Sequence, residues 1–473
     1  MNVPTVLLAF PPRPESDRGR ESVLYPNPPF LGLAQLAAIL DREDIAYRII
    51  QERDLRQFLQ RIKEADASAI RWVGFSAHSL NFWHLTGSLP SIRDVAPNAR
   101  VVLGGPHATS APDDALNLAG IDVVVRGDAE KALPELIRQP RVEDVPSVSF
   151  RKQNEIVHHA AGPPTDLDAL PLPRYDLFRP FRPTIASYLK KPVFPYQASR
   201  GCPFSCGFCR SSAEMAGRRQ RSVARILDDM NQLTKDHGAR EIQFVDNIFL
   251  PNPADLERFC QGLLDRGRPI VWSCMAHFNM FEESLARLMV AAGCHQVGFG
   301  MESSDPQLLR DMKKPINVEA ARLQISRLAS AGLNVRVHFM YGYPGETRET
   351  MAKTLRMALR LRAAMATFST AMAFPGTALE RRLVELGVRR TTDWSRLNGS
   401  YPSDFAGLAK KQVFSFATRS ILRFYLRPVI LLRNRQALFN INFLRDGLIL
   451  LGMLLRMLLS PGRRRHENCA APP

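Results

Sequence analysis

From residue 5 to about 137, short apolar runs alternate with stretches whose apolar positions recur at helical spacing. The runs at 5–10, 47–50, 72–76, 100–105 and 122–127 predict strands, and five strand-and-helix units in succession predict a doubly wound, Rossmann-like parallel α/β sheet. Residues 140–195 then carry ten prolines in 56 positions, which can continue neither a helix nor a central strand and so predict a linker. The alternation restarts at 196–201 and recurs at 241–246, 270–276, 296–302, 334–342 and 367–374. Six such units predict a partial (β/α)6 TIM-like barrel, with its chemistry on loops at the carboxyl ends of the strands. The expected division is a first domain over 1–139, a linker over 140–195, a barrel over 196–390 and a basic, apolar, helical carboxy-terminal region over 391–473.

Charge changes the picture only at the end of the chain. Of the net +17, the segment from Lys410 to Arg465 supplies +11, with twelve basic residues against the single acid Asp446. Within its apolar part, 437–459, only residues 447–455 run uncharged, too few to span a bilayer. Two readings stay open: a segment lying in the headgroup region of an anionic leaflet, or a helix packed on the protein's own core. Nucleic acid is not an expected partner, because the basic residues lie in an apolar-rich tail without a base-stacking module. The first residues show no basic stretch followed by a cleavage site, and three of the seven cysteines fall within eight residues, so a reducing cytoplasm is expected, with the inner membrane face as the second location.

Cys202, Cys206 and Cys209 are separated by three and then two residues, directly after an expected strand. Three thiolates on one tight loop suit a cubane iron–sulfur cluster with one iron left open, whereas zinc asks for a fourth ligand. A packed core loop and a zinc site borrowing a distant ligand are the competing readings. Cys260, Cys274, Cys294 and Cys469 stand alone in sequence and read as ordinary thiols.

The triplet, with the aromatic Phe208 before its last cysteine, resembles the radical S-adenosylmethionine (SAM) superfamily. The resemblance implies that SAM chelates the open iron of a four-iron four-sulfur cluster. It also implies SAM contacts from Asp246 and Asn247 after the second barrel strand and from Glu302 and Ser303 after the fourth. Glu302 is the catalytic candidate, meeting the ribose or amino-acid end. Residues 339–347, with Gly342, and 374–377 look like the family's fifth- and sixth-strand motifs.

In the first domain, Gly104-Gly105-Pro106-His107 and Gly127-Asp128-Ala129-Glu130 end neighbouring strands and, with residues 28–33, resemble the cobalamin-binding domain that precedes many radical SAM barrels. The Asp-x-His-x-x-Gly pattern that supplies a lower cobalt ligand is absent, which implies cobalt without that histidine. His78, His84 and His107 are possible neighbours, and His107 is the expected contact.

Together the two resemblances imply a cobalamin-dependent radical SAM enzyme. The implied reaction is methylation of an unactivated carbon of a hydrophobic small molecule through a 5'-deoxyadenosyl radical, with flavodoxin or ferredoxin as electron donor. An oxidative cyclase acting on a tetrapyrrole or lipid is the alternative, and a non-catalytic cobalamin or redox sensor a further one.

Overall fold

The computed structural model describes residues 6–13, 31–139, 141–178, 192–211, 217–267, 270–280, 282–314, 316–387 and 408–433. In the first domain β1 (Val6–Ala9), β2 (Tyr47–Ile50), β3 (Trp72–Ser76), β4 (Arg100–Gly104) and β5 (Val123–Val125) lie parallel in the order β2-β1-β3-β4-β5. The helices are α1 (Leu31–Arg42), α2 (Leu55–Glu64), α3 (His84–Val95), α4 (Pro106–Ser110), α5 (Pro112–Leu116) and α6 (Ala129–Arg138). Val6–Ala9 and Val123–Val125 are buried throughout, as strands covered on both faces must be. The strand order reverses at β1/β3, so the ligand crevice of this sheet lies at the carboxyl ends of those two strands.

Part of the stretch expected as linker extends this sheet. β6 (Val148–Lys152) and β7 (Glu155–His158) form an antiparallel hairpin on β5. Gln153 and Asn154 both take positive φ, the geometry a two-residue hairpin turn needs. The prolines flank the hairpin rather than interrupt it, so proline density concealed it.

The second domain is a six-stranded parallel sheet in the order β15-β14-β13-β12-β11-β8. Its strands are β8 (Val193–Tyr196), β11 (Glu241–Phe244), β12 (Val271–Ala276), β13 (Cys294–Glu302), β14 (Asn334–Tyr341) and β15 (Met365–Thr370). The covering helices are α7 (Val223–His237), α8 (Pro253–Asp265), α9 (Glu283–Ala291), α10 (Pro306–Asp311), α11 (Val318–Ser330), α12 (Arg348–Arg360) and α13 (Ala378–Glu385). The first strand begins earlier than 196–201 predicts. β8 is an edge strand, so Pro195 costs it no ladder bond there. Past Gln197 the chain leaves the sheet, and β9 (Ser199–Arg200) pairs antiparallel with β10 (Arg219–Gln220).

α14 (Lys410–Tyr425) and α15 (Pro428–Arg433) follow. Tyr425 Oη donates to Ala366 O at 2.9 Å, and Phe424 is fully buried with the Arg427 guanidinium 4.1 Å from its ring. The described carboxy-terminal residues, 408–433, therefore pack on the protein's own core through α14; the apolar run 437–459 lies outside the described residues. Among the described residues no helix is long and apolar enough to cross a membrane. Cutting Phe424 to Ala leaves an aromatic-sized cavity under β15 and is expected to cost about 3–5 kcal/mol of stability, read by chemical denaturation.

Candidate cofactor site

The β9–β10 ribbon closes the base of the cysteine loop. Gly201 takes φ +84°, and a Cβ there would sit 2.4 Å from Gly217 O, so only glycine lets the two ends meet. Farther along, Gly207 N–H donates to Met312 O at 2.9 Å and Gly207 O accepts Leu379 N–H at 2.8 Å. These bonds pin the loop against the end of α10 and the start of α13. Cys206 is buried, Cys202 and Cys209 are half-buried, and none of the three is in a disulfide. Burial pushes the Cys206 thiol up to about 11 and raises Cys202 too, while the positive charge of Lys314 pulls both down. Among the described residues no three His, Cys, Asp or Glu side chains are spaced to hold a single metal ion. A cubane asks for a wider arrangement, since each thiolate binds its own iron.

Lys314 was not legible as a site residue. It follows α10 and is half-buried, with Nζ 3.2 Å from Glu302 Oε1 and 5.9 Å from the Phe208 ring. Burial works against its charge, but Glu302 and the Cys206 thiol outweigh that and hold its pKa above the ordinary value. Glu302 itself sits at φ +62°, a strained conformation for a residue with a side chain, where the pairing of β13 with β14 slips between Gly300 and Glu302. A Cβ on Gly300 would lie 2.5 Å from Glu302 Oε1 and 2.9 Å from Lys314 Nζ. The glycine thus makes room for the ion pair. An open pocket lined by Phe204, Ser205, Leu309 and Lys314 flanks the loop. On the inner wall of the barrel His338 Nδ1 lies 2.7 Å from Thr367 Oγ1, and burial lowers its pKa to about 4.

The other expected SAM contacts separate into different roles. The Asp246 carboxylate accepts from Ala198 N–H at 3.2 Å and from the Ser199 hydroxyl, which turns the chain off the sheet toward the cysteines. Its burial raises its pKa to about 6. Asn247 Oδ1 accepts from the Ser211 hydroxyl at 3.2 Å, just beyond the third cysteine. Ser303 is fully buried and its hydroxyl accepts Asp305 N–H at 3.1 Å, shaping the entry to α10. Gly342, at φ +83°, gives its N–H to the carboxylate of Glu346. Phe208 packs beside the cluster of Met312, Met340 and Tyr343.

At the carboxyl edge of the first sheet, Gly105 takes φ +91° and a Cβ there would meet Ala77 N and O at 2.9 Å, while a Cβ on Gly127 would meet nothing within 4 Å. Gly104 ends β4 and Pro106 opens α4. The edge is therefore a shallow backbone cradle with open space before it. His107 lies behind it, fully buried, with Nδ1 3.0 Å from Ser79 Oγ and its ring stacked 3.9 Å from Phe82. His78, past β3 and stacked on Phe10, occupies the crevice side instead. Glu130 is engaged by Arg200 of the second domain. Cys260, Cys274 and Cys294, apart in sequence, gather in the barrel core, where burial holds Cys260 up at about 12 and raises Cys294 as well.

Two family models match, the radical SAM superfamily over residues 196–358 and the B12 binding domain over residues 22–137. The chain thus joins a B12 binding domain to a radical SAM domain. An uncharacterized methyltransferase of Pyrococcus horikoshii is 28% identical over 446 residues, 92% of this chain and 95% of that protein. An anaerobic magnesium-protoporphyrin IX monomethyl ester cyclase of Cereibacter sphaeroides is 26% identical over 351 residues, 71% of this chain and 57% of the relative. The radical SAM methyltransferase TsrM of Kitasatospora setae, solved with cobalamin and a four-iron four-sulfur cluster, superposes with TM-score 0.64 at 20% identity, covering 83% of this chain and 80% of that one. The cofactors of this cobalamin-dependent radical SAM protein are the cluster, SAM and cobalamin. Its residues fit them: three cysteines outside any disulfide beside a half-buried cation at one edge, a glycine cradle with open space at the other.

Glu346 gives this site a pH signature. Burial pushes its pKa from 4.5 up to about 8. The folded chain then holds a proton that the unfolded chain releases near 4.5, so this residue's contribution to stability falls as pH rises from about 4.5 to 8. In Glu346→Gln the melting temperature is expected to lose that decline, measured against wild type across the same range.

Proposed function

We propose that this chain is a C-methyltransferase acting on a hydrophobic small molecule, with Cys202, Cys206 and Cys209 holding the cluster and Glu302 holding SAM. The observation that carries the reading is the meeting of the two edges: Arg200, beside the cysteine loop, is ion-paired to Asp128 and Glu130 at the edge of the first sheet. A substrate between them would reach both cofactors. When bound, the cluster with SAM supplies radical hydrogen abstraction and cobalamin supplies a transferable methyl group. The protein's share is position and dryness. Lys314 neutralises negative charge at the thiols, the Glu302 carboxylate offers acceptors to hydroxyl or ammonium groups, and the neutral His338 with Thr367 lines the barrel wall a substrate would meet. The near end-to-end match to the Pyrococcus methyltransferase supports transfer of methyl, and the cyclase relative motivates oxidative ring closure as the competing outcome.

The decisive assay supplies methyl-labelled SAM to reduced, cobalamin-loaded protein. Label on cobalt together with S-adenosylhomocysteine is the expected result; 5'-deoxyadenosine without methyl transfer would move the reading to oxidation or cyclisation, and neither product would revive the sensor. The electron donor in this reading is a flavodoxin or ferredoxin.

Contact with an anionic membrane through residues 434–473 belongs to the same proposal. Leu426, Val429 and Leu432 are each more than 60% exposed where the described chain ends, and the following segment is basic and apolar. Because α14 packs into the core, the informative cut falls after residue 433. The shortened protein is expected to keep its fold and lose co-sedimentation with anionic vesicles, and equal binding would remove the tail from this role.

A further inference from the structure

Arg200 and Arg219 stand directly opposite each other on the two-residue ladder that closes the cysteine loop. Like charges so placed repel and would weaken the ribbon. The first domain answers them. Asp128 Oδ1 accepts Arg200 Nη1 at 2.8 Å, Asp128 Oδ2 accepts Arg219 Nη1 at 2.5 Å, and Glu130 accepts the other arm of the Arg200 guanidinium. Thr165, on the segment between the domains, closes the arrangement by accepting Arg219 Nη1 at 2.9 Å.

Two features mark this as more than a surface ion pair. The side chains of Arg200, Asp128 and Glu130 are only 12%, 14% and 7% exposed, so water and salt screen them little. Asp128 also occupies the N-cap position of α6, where an aspartate ordinarily accepts a helix N–H, yet makes no capping bond. Its carboxylate is given to the arginines instead. A planar guanidinium holds its donors on separate nitrogens in a fixed fork, so Nη1 and Nη2 each meet a different carboxylate, whereas a lysine gathers its donors on one atom.

We propose that Arg200, Arg219, Asp128 and Glu130 form a positioning clamp that locks the base of the cysteine loop to the carboxyl edge of the cobalamin-binding sheet and so fixes the separation of the two cofactors. The clamp rests on the two-cofactor reading and holds equally for methylation or cyclisation.

The test uses full-length protein carrying both cofactors. Iron and corrin content are measured first, then the electron-spin relaxation of cob(II)alamin with the cluster oxidised and reduced, since a nearby reduced cluster speeds that relaxation. In wild type, reduction is expected to accelerate it. In Arg200→Gln, iron and corrin stay at wild-type levels while the acceleration falls, and Arg200→Lys, which keeps the charge and loses the fork, lies between. A loaded Arg200→Gln protein with unchanged acceleration overturns the clamp. Loss of iron in step with the acceleration assigns the arginine to loop folding and overturns it as well. Wild type that takes up no corrin overturns the two-cofactor reading and the clamp with it. Should Arg200→Gln fail to fold, Arg219→Ala carries the same test at the more exposed partner.

Discussion

A parallel sheet sends the carboxyl end of every strand to one edge, and nearly everything in this molecule follows from having two such edges joined. At each of them the backbone must turn from strand to loop with its polar groups available, and glycine at positive φ makes that turn at Gly105, Gly127, Gly201 and Gly342. The first edge offers a shallow cradle and the second a loop of thiols. Neither domain alone would bring a cobalamin face and an iron–sulfur cluster to the same substrate. The buried charges of Arg200, Asp128 and Glu130 cross between the edges, and each would be costly to bury without its partners.

Charge is managed with similar economy inside the barrel. A lysine withdrawn from most of the solvent is unfavourable by itself, and so is a buried glutamate. Paired, with Gly300 leaving space for both, they place one positive and one negative group beside the cysteine loop. The strain at Glu302 is where the strand yields to make that geometry. Asp246 and Glu346 serve one step back, holding the chain that leads into the cysteines and the loop after β14. Their burial raises both carboxyl pKa values, a consequence of using acids as internal backbone ties.

Strands with continuous apolar runs were legible because a doubly covered strand must be apolar on both faces, and ten of the eleven expected runs coincide closely with strands of the two sheets. The cysteine triplet was legible because its chemistry depends on local spacing. The hairpin at 148–158 was hidden by flanking prolines, and the shift of the first barrel strand depended on Asp246, nearly fifty residues away, drawing Ala198 and Ser199 aside. Glu130 and His107 looked like equal members of two glycine-rich motifs, yet one meets an arginine of the other domain and the other lies buried behind Ser79 and Phe82.

The sequence by itself therefore determined the two α/β layers, the thiol triplet and the glycines at the strand ends, because each is encoded in short-range periodicity or spacing. Only the tertiary structure decided that Lys314 belongs with Glu302, that Cys260, Cys274 and Cys294 share a core, and that Arg200 answers Asp128. Those pairings join residues from 12 to 72 positions apart. Such contacts are selected by burial and charge in the folded chain, and no local pattern records them.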